Sequence, residues 1–332
     1  MTNSSLPHSI TKHAELGASG TLDPQIEEVL RLIERAGRPA YQHLGARQAR
    51  IEYEKAARVL EIAPVTVHRV ENLVVEHADL RIPVRLYWPR EPNAWDRLPA
   101  LVLAHGGGFT VGSVDTIDSI ARLVCRDADC CVMSVDYRLA PEHPFPAAFD
   151  DVWAVLRFAF EQAGALGLDA ARIAVGGDSA GGTLAAACAI AARDHDLPLA
   201  LQWLIYPGTE AEQNTRSHHA YAKGYLLQRE TILWFFAHYL RDHRDRFDWR
   251  FAPLHALDVR GVAPAWIAVA EFDPLVDEGV SYACRLMQND VPTELAFYPG
   301  AVHAFFNMGG RVKLARRAHA DAIVALRKAF TA

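Results

Sequence analysis

The chain reads as an α/β protein in which a mostly parallel central sheet is flanked by helices. Three observations point there. Short apolar runs recur at residues 100–104, 131–135, 173–175, 201–206, 265–270 and 293–297 without period-two alternation, as expected of strands covered on both faces. Longer helical patterns separate these runs, which fits right-handed crossovers in a parallel sheet. With 332 residues, 51% of them apolar and 22% charged, the chain is long enough to bury a substantial core.

In chain order, residues 1 to about 20 are polar and unpatterned and read as a loose arm. Asp23 then caps a helix with Pro24 at its first position, and Ile26, Val29, Leu30 and Ile33 recur at helical spacing. A second helical stretch covers 46–60. Residues 65–75 and 80–87, rich in Val, Ile and Leu and joined by a short polar turn, read as an antiparallel pair. From there strand and helix alternate until residue 208. Between Gly208 and Leu257 the strand signal stops. A helical insertion replaces it, with Trp234, Phe235, Phe236 and Tyr239 on its aromatic face. It leaves the chain just after a strand end, Ile205-Tyr206-Pro207, where insertions in open parallel sheets shape ligand pockets. The expected division is therefore an arm and leading helices at 1–60, a core at 61–208 and 258–332, and a lid at 209–257.

Totals exclude some functions. Lys plus Arg is 34 against 40 Asp plus Glu, a net charge of −6, so there is no basic footprint for nucleic acid. The five cysteines are odd in number and form no C-x-x-C pair, which suits reduced structural thiols; Cys188 sits in an Ala-rich helical pattern as a small core residue. The leading stretch has no apolar h-region, and the most apolar run, 183–192, is too short to span a bilayer. A cytoplasmic protein without stable membrane insertion is expected.

The strongest local signal is Arg172-Ile173-Ala174-Val175-Gly176-Gly177-Asp178-Ser179-Ala180-Gly181-Gly182-Thr183. A strand meets a helix with Ser179 at the corner and a glycine two residues to either side, the G-x-S-x-G elbow in its strand–turn–helix context. Such a turn exposes the hydroxyl above the sheet, and the helix N-terminus brings free N–H groups beside it. A serine nucleophile needs a histidine base, and the base needs an orienting carboxylate, in chain order Ser, acid, His. Asp273, just past a strand, fits the acid, although it can also cap the following helix; Glu271 and Asp277 are rivals. His303, in the loop after the last strand, fits the base. Of the other histidines after Ser179, His218, His219, His238 and His243 fall in the insertion and His255 precedes the Asp273 strand. His195 lies in a polar loop and His319 on the charged C-terminal helix.

Upstream, the apolar run ends in His105-Gly106-Gly107-Gly108. Three glycines let something approach the backbone closely. Acyl transfer at Ser179 puts negative charge on a carbonyl oxygen, and the N–H groups of Gly107, Gly108 and Ala180 are the candidates to hold it. A phosphate loop is excluded, since neither G-x-x-x-x-G-K-[ST] nor a helix-opening G-x-G-x-x-G occurs here. His105 reads as a brace of the loop. In Tyr137-Arg138-Leu139-Ala140-Pro141-Glu142-His143, Arg138 and Glu142 are expected to pair and hold the loop facing the glycines.

These stretches, with Asp273-Pro274-Leu275-Val276-Asp277-Glu278-Gly279, resemble the hormone-sensitive-lipase family of α/β-hydrolases, also called bacterial family IV esterases. The resemblance runs from about residue 22 to the C-terminus. It implies an α/β-hydrolase core under a helical cap. It implies a carboxylesterase for short- to medium-chain acyl esters that works through Ser179, His303 and Asp273, with no metal or organic cofactor. Dimers are frequent in such a family, so a homodimer is plausible on the same ground. His303-Ala304-Phe305 departs from the family's common His-Gly-Phe. An amide hydrolase or deacetylase on the same site is the alternative. A non-catalytic small-molecule receptor is disfavoured because His303 is present.

Overall fold

The computed structural model describes residues 19–93 and 95–331. Of the polar leading stretch only Ser19 and Gly20 fall among them, and the arm expected over the rest lies outside the described residues.

Among the described residues, two helices precede the sheet. α1 (Pro24–Arg35) starts where its cap predicts, with the Asp23 carboxylate accepting from the Gln25 and Ile26 N–H groups. α2 (Ala46–Leu60) follows a short 3-10 turn at Tyr41–His43. Strands β1 (Arg69–His77) and β2 (Leu80–Trp88) form the antiparallel pair. The first begins four residues later than its β-rich sequence suggests. Its partner explains why: β2 runs from Leu80, opposite His77, to Trp88, opposite Arg69, so residues 65–68 project past the end of β2 and have no ladder to join.

β3 (Leu98–Ala104), α3 (Asp118–Ala128), β4 (Cys131–Val135), α4 (Ala147–Glu161), β5 (Leu168–Asp178), α5 (Ala180–Asp194) and β6 (Leu199–Ile205) continue the alternation. β7 (Ala265–Phe272), β8 (Thr293–Val302) and two helices to be placed below complete it. Among the described residues, eight strands lie in the order β1-β2-β4-β3-β5-β6-β7-β8. β2 pairs antiparallel with β1 and β4, and every other pairing is parallel.

β3, β4 and β7 are buried along their whole length, the reason their sequences carry no alternation. One apolar cluster fills each face. Val102, Val175 and Ile267 point to the side that α4 and α5 cover; Leu103, Trp203 and Trp266 point to the other. Thirteen of the fifteen residues of α5 are buried, because Ala and Gly let the helix lie close on the sheet. Cys188 is among them. All five cysteines are free thiols, four of them buried, and burial raises the pKa of each.

The insertion carries no strand among its residues. It forms α6 (Arg216–Ala220), α7 (Arg229–Tyr239) and two 3-10 turns, His243–Phe247 and Pro253–His255. Phe235 of α7 meets Ala49 of α2 and Val111 of the glycine loop in a third, small apolar cluster, with Tyr41, Leu44, Tyr53 and Trp234 packed around it. The leading helices and the insertion therefore touch each other over the loop that follows β3. After β7 and β8 come α8 (Val276–Gln288) and α9 (Lys313–Ala329) respectively. His319 of α9 is buried rather than displayed on a charged face.

Candidate active site

β5 ends at Asp178, α5 begins at Ala180, and Ser179 forms the corner with φ 54° and ψ −119°. A non-glycine residue held at positive φ is strained by about 1 kcal/mol or more. Two backbone bonds fix it there: Ser179 N–H donates to the Ile205 carbonyl (2.9 Å) and Thr183 N–H donates to the Ser179 carbonyl (3.0 Å). The flanking glycines are needed for close packing. A Cβ on Gly177 or Gly181 would run into the Ala104 carbonyl of β3. The Ala180 N–H belongs to the first turn of α5, where no intrahelical acceptor exists.

Asp273 follows β7, and His303 follows β8. The three side chains meet. His303 Nε2 lies 2.9 Å from Ser179 Oγ, and His303 Nδ1 lies 2.7 Å from Asp273 Oδ2. Asp273 is fully buried and His303 is 5% exposed. With Nδ1–H donating to the carboxylate, Nε2 is the atom left to accept from the serine hydroxyl. Tyr206, at the end of β6, packs its ring 4.7 Å from the imidazole. Asp273 also accepts from the Leu275 N–H through Oδ1 (2.8 Å); Leu275, not Asp273, is the N-cap of α8, so this carboxylate oxygen fastens the turn before the helix rather than capping the helix itself.

Neither rival acid faces His303. Glu271 accepts from the Ser19 N–H and hydroxyl and from the Gly20 and Gly300 N–H groups, which together hold its carboxyl below the usual range against burial. Ser19 and Gly20 are thus tied down rather than loose. Asp277 accepts from the Ser217 N–H (2.8 Å).

The glycine loop takes an unusual path. Gly107, Gly108 and Phe109 all have positive φ, at 121°, 56° and 59°. The Gly107 carbonyl accepts from Thr110 and Val111 N–H, closing a tight turn. Gly108 lies against the Phe235 ring so closely that a Cβ there would overlap it. His105 acts as a brace: it stacks on Tyr137 (4.2 Å), Nδ1 lies 2.8 Å from the Gly106 carbonyl, and burial pulls its pKa down to about 4.

The expected Arg138–Glu142 pair does not form. Arg138 instead grips Asp151 of α4 with Nε and Nη2, and its N–H donates to the same carboxylate, which is buried in the first turns of that helix. Glu142 points outward and pairs with Arg50 of α2 (2.5 Å). The stretch still frames the glycines, through Tyr137 O–H donating to the His105 carbonyl (2.7 Å) and Ala140 N–H donating to the Phe109 carbonyl (2.8 Å).

Two residues that sequence reasoning passed over join the site. Asp178 is buried beside Ser179 and accepts from the Gly106 N–H (2.7 Å) and the Asn307 Nδ2–H (3.1 Å); burial raises its pKa, and these donors partly oppose the rise. It links the glycine loop to the turn that carries His303. An acid inside a glycine-flanked serine corner was the available signal for Asp178. Asn307 offered none, since only the fold brings it there.

Beside Ser179 opens a cavity of ≈ 50 Å³. Gly108 and Ala180 border it with Ser179. Phe109, Ile232, Phe235, Phe236 and Phe251 make an apolar wall, and Thr183, Glu210 and Glu278 stand at its polar side. The Glu278 carboxylate is fully buried and pairs with His218 (2.7 Å) while accepting from the Thr209 and Glu210 N–H groups; burial raises its pKa, opposed by the histidine. Among the described residues no three or more His, Cys, Asp or Glu side chains gather to hold a metal ion, and no helix is long and apolar enough to cross a membrane.

Comparison with known proteins points the same way. A family model described as alpha/beta hydrolase fold matches residues 101–307. Ethyl acetate hydrolase of Pseudomonas putida is 39% identical over 301 residues, 88% of this chain and 94% of that protein. Carboxylic ester hydrolase LipN of Mycobacterium tuberculosis is 46% identical over 235 residues, 68% of this chain; the match spans 61% of LipN's length. Among solved structures, an α/β-hydrolase enzyme from the metagenome of Lake Arreo superposes with a TM-score of 0.90 at 38% identity, covering 95% of this chain and all of that one.

Proposed function

The chain belongs to the hormone-sensitive-lipase family of α/β-hydrolases and is a carboxylesterase, and from that premise we propose that Ser179, His303 and Asp273 are its catalytic triad. Ser179 Oγ attacks the ester carbonyl as His303 Nε2 takes its proton. Asp273 holds the imidazole in the required tautomer and stabilises the imidazolium. The N–H groups of Gly107, Gly108 and Ala180 hold the oxyanion, each donor contributing roughly 3–4 kcal/mol. The protonated His303 then gives its proton to the leaving alcohol. Water, deprotonated by the same imidazole, attacks the acyl-enzyme, and the acid departs. The observation that carries this reading is the unbroken line Ser179 Oγ, His303 Nε2, His303 Nδ1, Asp273 Oδ2, with spacings of 2.9 and 2.7 Å.

The substrate reading is an ester at the short end of the short- to medium-chain range. A cavity of ≈ 50 Å³ has room for roughly three or four water-sized groups. The Pseudomonas relative is named for the ester of a two-carbon acid. The aromatic wall suits an apolar acyl or alkyl group. The same geometry supports the division into a core at 61–208 and 258–332 and a cap made of the helices within 1–60 and the 209–257 insertion, because Phe235, Ala49 and Val111 pack together over the glycine loop.

The test is hydrolysis of p-nitrophenyl esters from acetate to palmitate by the wild type and Ser179→Ala. The expected result is turnover of acetate, propionate and butyrate, a steep fall beyond hexanoate, and a loss of about 10⁴-fold or more in the variant. A folded wild type inert towards every ester, or a variant that retains turnover, sinks the proposal.

A further inference from the structure

One residue of the leading helices reaches into the frame of the glycine loop. Arg50 lies on α2, next to Ala49, which is fully buried against Val111 and Phe235. Its guanidinium uses all three nitrogens. Nε–H donates to the Thr110 carbonyl (2.9 Å), and Nη2–H donates to the Ala140 carbonyl (2.8 Å). Nη1 and Nη2 also take the two oxygens of Glu142 at 3.0 and 2.5 Å.

The two carbonyls flank the segment that matters. Thr110 directly follows Gly107-Gly108-Phe109, and its N–H closes the turn on the Gly107 carbonyl (3.1 Å). Ala140 sits opposite, its N–H donating to the Phe109 carbonyl (2.8 Å). Arg50 therefore ties the two sides of a bracket whose inner edge is three consecutive residues at positive φ. Glycine adopts such angles without strain, but Phe109 at φ 59° does not, and a non-glycine residue held there persists only where surrounding contacts over-determine it. A planar fork with fixed donor directions suits two carbonyls and a carboxylate at once, which a lysine ammonium cannot reproduce.

We propose that Arg50 is a positioning residue for the oxyanion-binding loop, by which the seating of α2 sets the alignment of the Gly107 and Gly108 N–H groups. The proposal rests on the reading of those groups as the oxyanion hole. Arg50 touches neither substrate nor Ser179; it acts through the Thr110 and Ala140 carbonyls. Loss of the guanidinium leaves Ser179, His303 and Asp273 in place and misaims the donors, so the transition state suffers and ground-state binding does not.

Steady-state kinetics on p-nitrophenyl butyrate and inhibition by a butyl trifluoromethyl ketone, which forms a tetrahedral adduct with a serine, test it. In Arg50→Ala, kcat is expected to fall roughly 10- to 100-fold with KM within about threefold of wild type. Affinity for the trifluoromethyl ketone should drop by the same factor as kcat/KM. Glu142→Gln keeps both carbonyl contacts and removes one exposed ion pair, so its kcat should stay within about threefold. Arg50→Lys, the milder variant should the alanine not fold, should fall between the two at an unchanged melting temperature.

Unchanged kcat in the folded arginine variants overturns the proposal. So does a rise in KM at constant kcat, which would make Arg50 a shaper of the pocket. Equal losses in Glu142→Gln and Arg50→Ala would assign the effect to the ion pair and overturn it as well. Failure of the underlying serine mechanism is read separately, from turnover that survives Ser179→Ala.

Discussion

Asp273 divides its two oxygens between His303 Nδ1 and the Leu275 N–H. This split makes its role separable from its place in the fold. In Asp273→Asn the amide oxygen can still accept from Leu275, so the turn into α8 should survive. The amide cannot accept from His303 with that same oxygen, and its NH₂ favours the wrong tautomer of the imidazole. We expect kcat to fall by about 10³- to 10⁴-fold with an unchanged circular dichroism spectrum and a melting temperature within a few degrees of wild type. Turnover near wild type would move the acid role elsewhere. The three proposed catalytic residues were legible because each stands at a strand's carboxyl end and the order Ser, Asp, His follows from the elbow. Asp178 and Asn307 were not. Their connection spans 129 residues and depends on the turn at Phe305–Met308 lying beside β5, which no local pattern encodes. The Arg138–Glu142 expectation failed for a related reason: a four-residue spacing suggests a pair only on a helix, and this stretch is a loop whose charges look to α4 and α2 instead.

At the scale of elements, strand length followed partners more than propensity. The apolar run at 131–135 matches β4 residue for residue. β5 proved longer than its apolar centre at 173–175, because β3 and β6 carry its ladder through the Gly176-Gly177 pair that local reading treats as a break. α9 departed from its charged appearance through His319, which is 4% exposed and donates from Nε2 to the Phe306 carbonyl (2.7 Å). Burial lowers its pKa to about 4, against the smaller raising effect of that carbonyl. The sign follows. The unfolded histidine takes a proton near pH 6.5 and the folded one resists until about 4. This contribution to stability is thus complete above pH 6.5 and is lost as pH falls towards 4, amounting to about 2 kcal/mol by pH 5. His105, pulled down to about 4 by its own burial, acts in the same direction. Melting temperatures measured from pH 7.5 to 4.5 should decline for the wild type and decline less steeply for His319→Gln, whose amide can still donate to Phe306. Parallel curves would remove His319 from the acid response.

Across the whole molecule, the proposed active site is a product of two separate stretches closing on the sheet. The aromatic residues of the insertion divide between core packing and the wall of the cavity. Tyr239 is fully buried and stacks on Phe109 (4.1 Å), whereas Phe235 and Phe236 border the cavity. Phe235 does both, since its ring lies on Gly108 and also joins the Ala49–Val111 cluster from α2. It is therefore the position where pocket size and the seating of the helices are most closely coupled. Phe235→Ala removes the ring from the wall without touching Ser179, His303 or Asp273. The enlarged cavity should admit chains about two to four carbons longer, moving the p-nitrophenyl ester optimum from the short acids towards hexanoate or octanoate. It should also cost about 3 kcal/mol of stability, the low end for a buried aromatic ring because an existing cavity already borders it. A chain-length series and a denaturant melt on the same preparation measure both effects. A longer optimum with lowered stability places the acyl chain along Phe235. Lowered stability with an unmoved optimum would mean that the chain runs towards Thr183 and Glu278 instead, and that Phe235 serves only to hold α7 on the glycine loop.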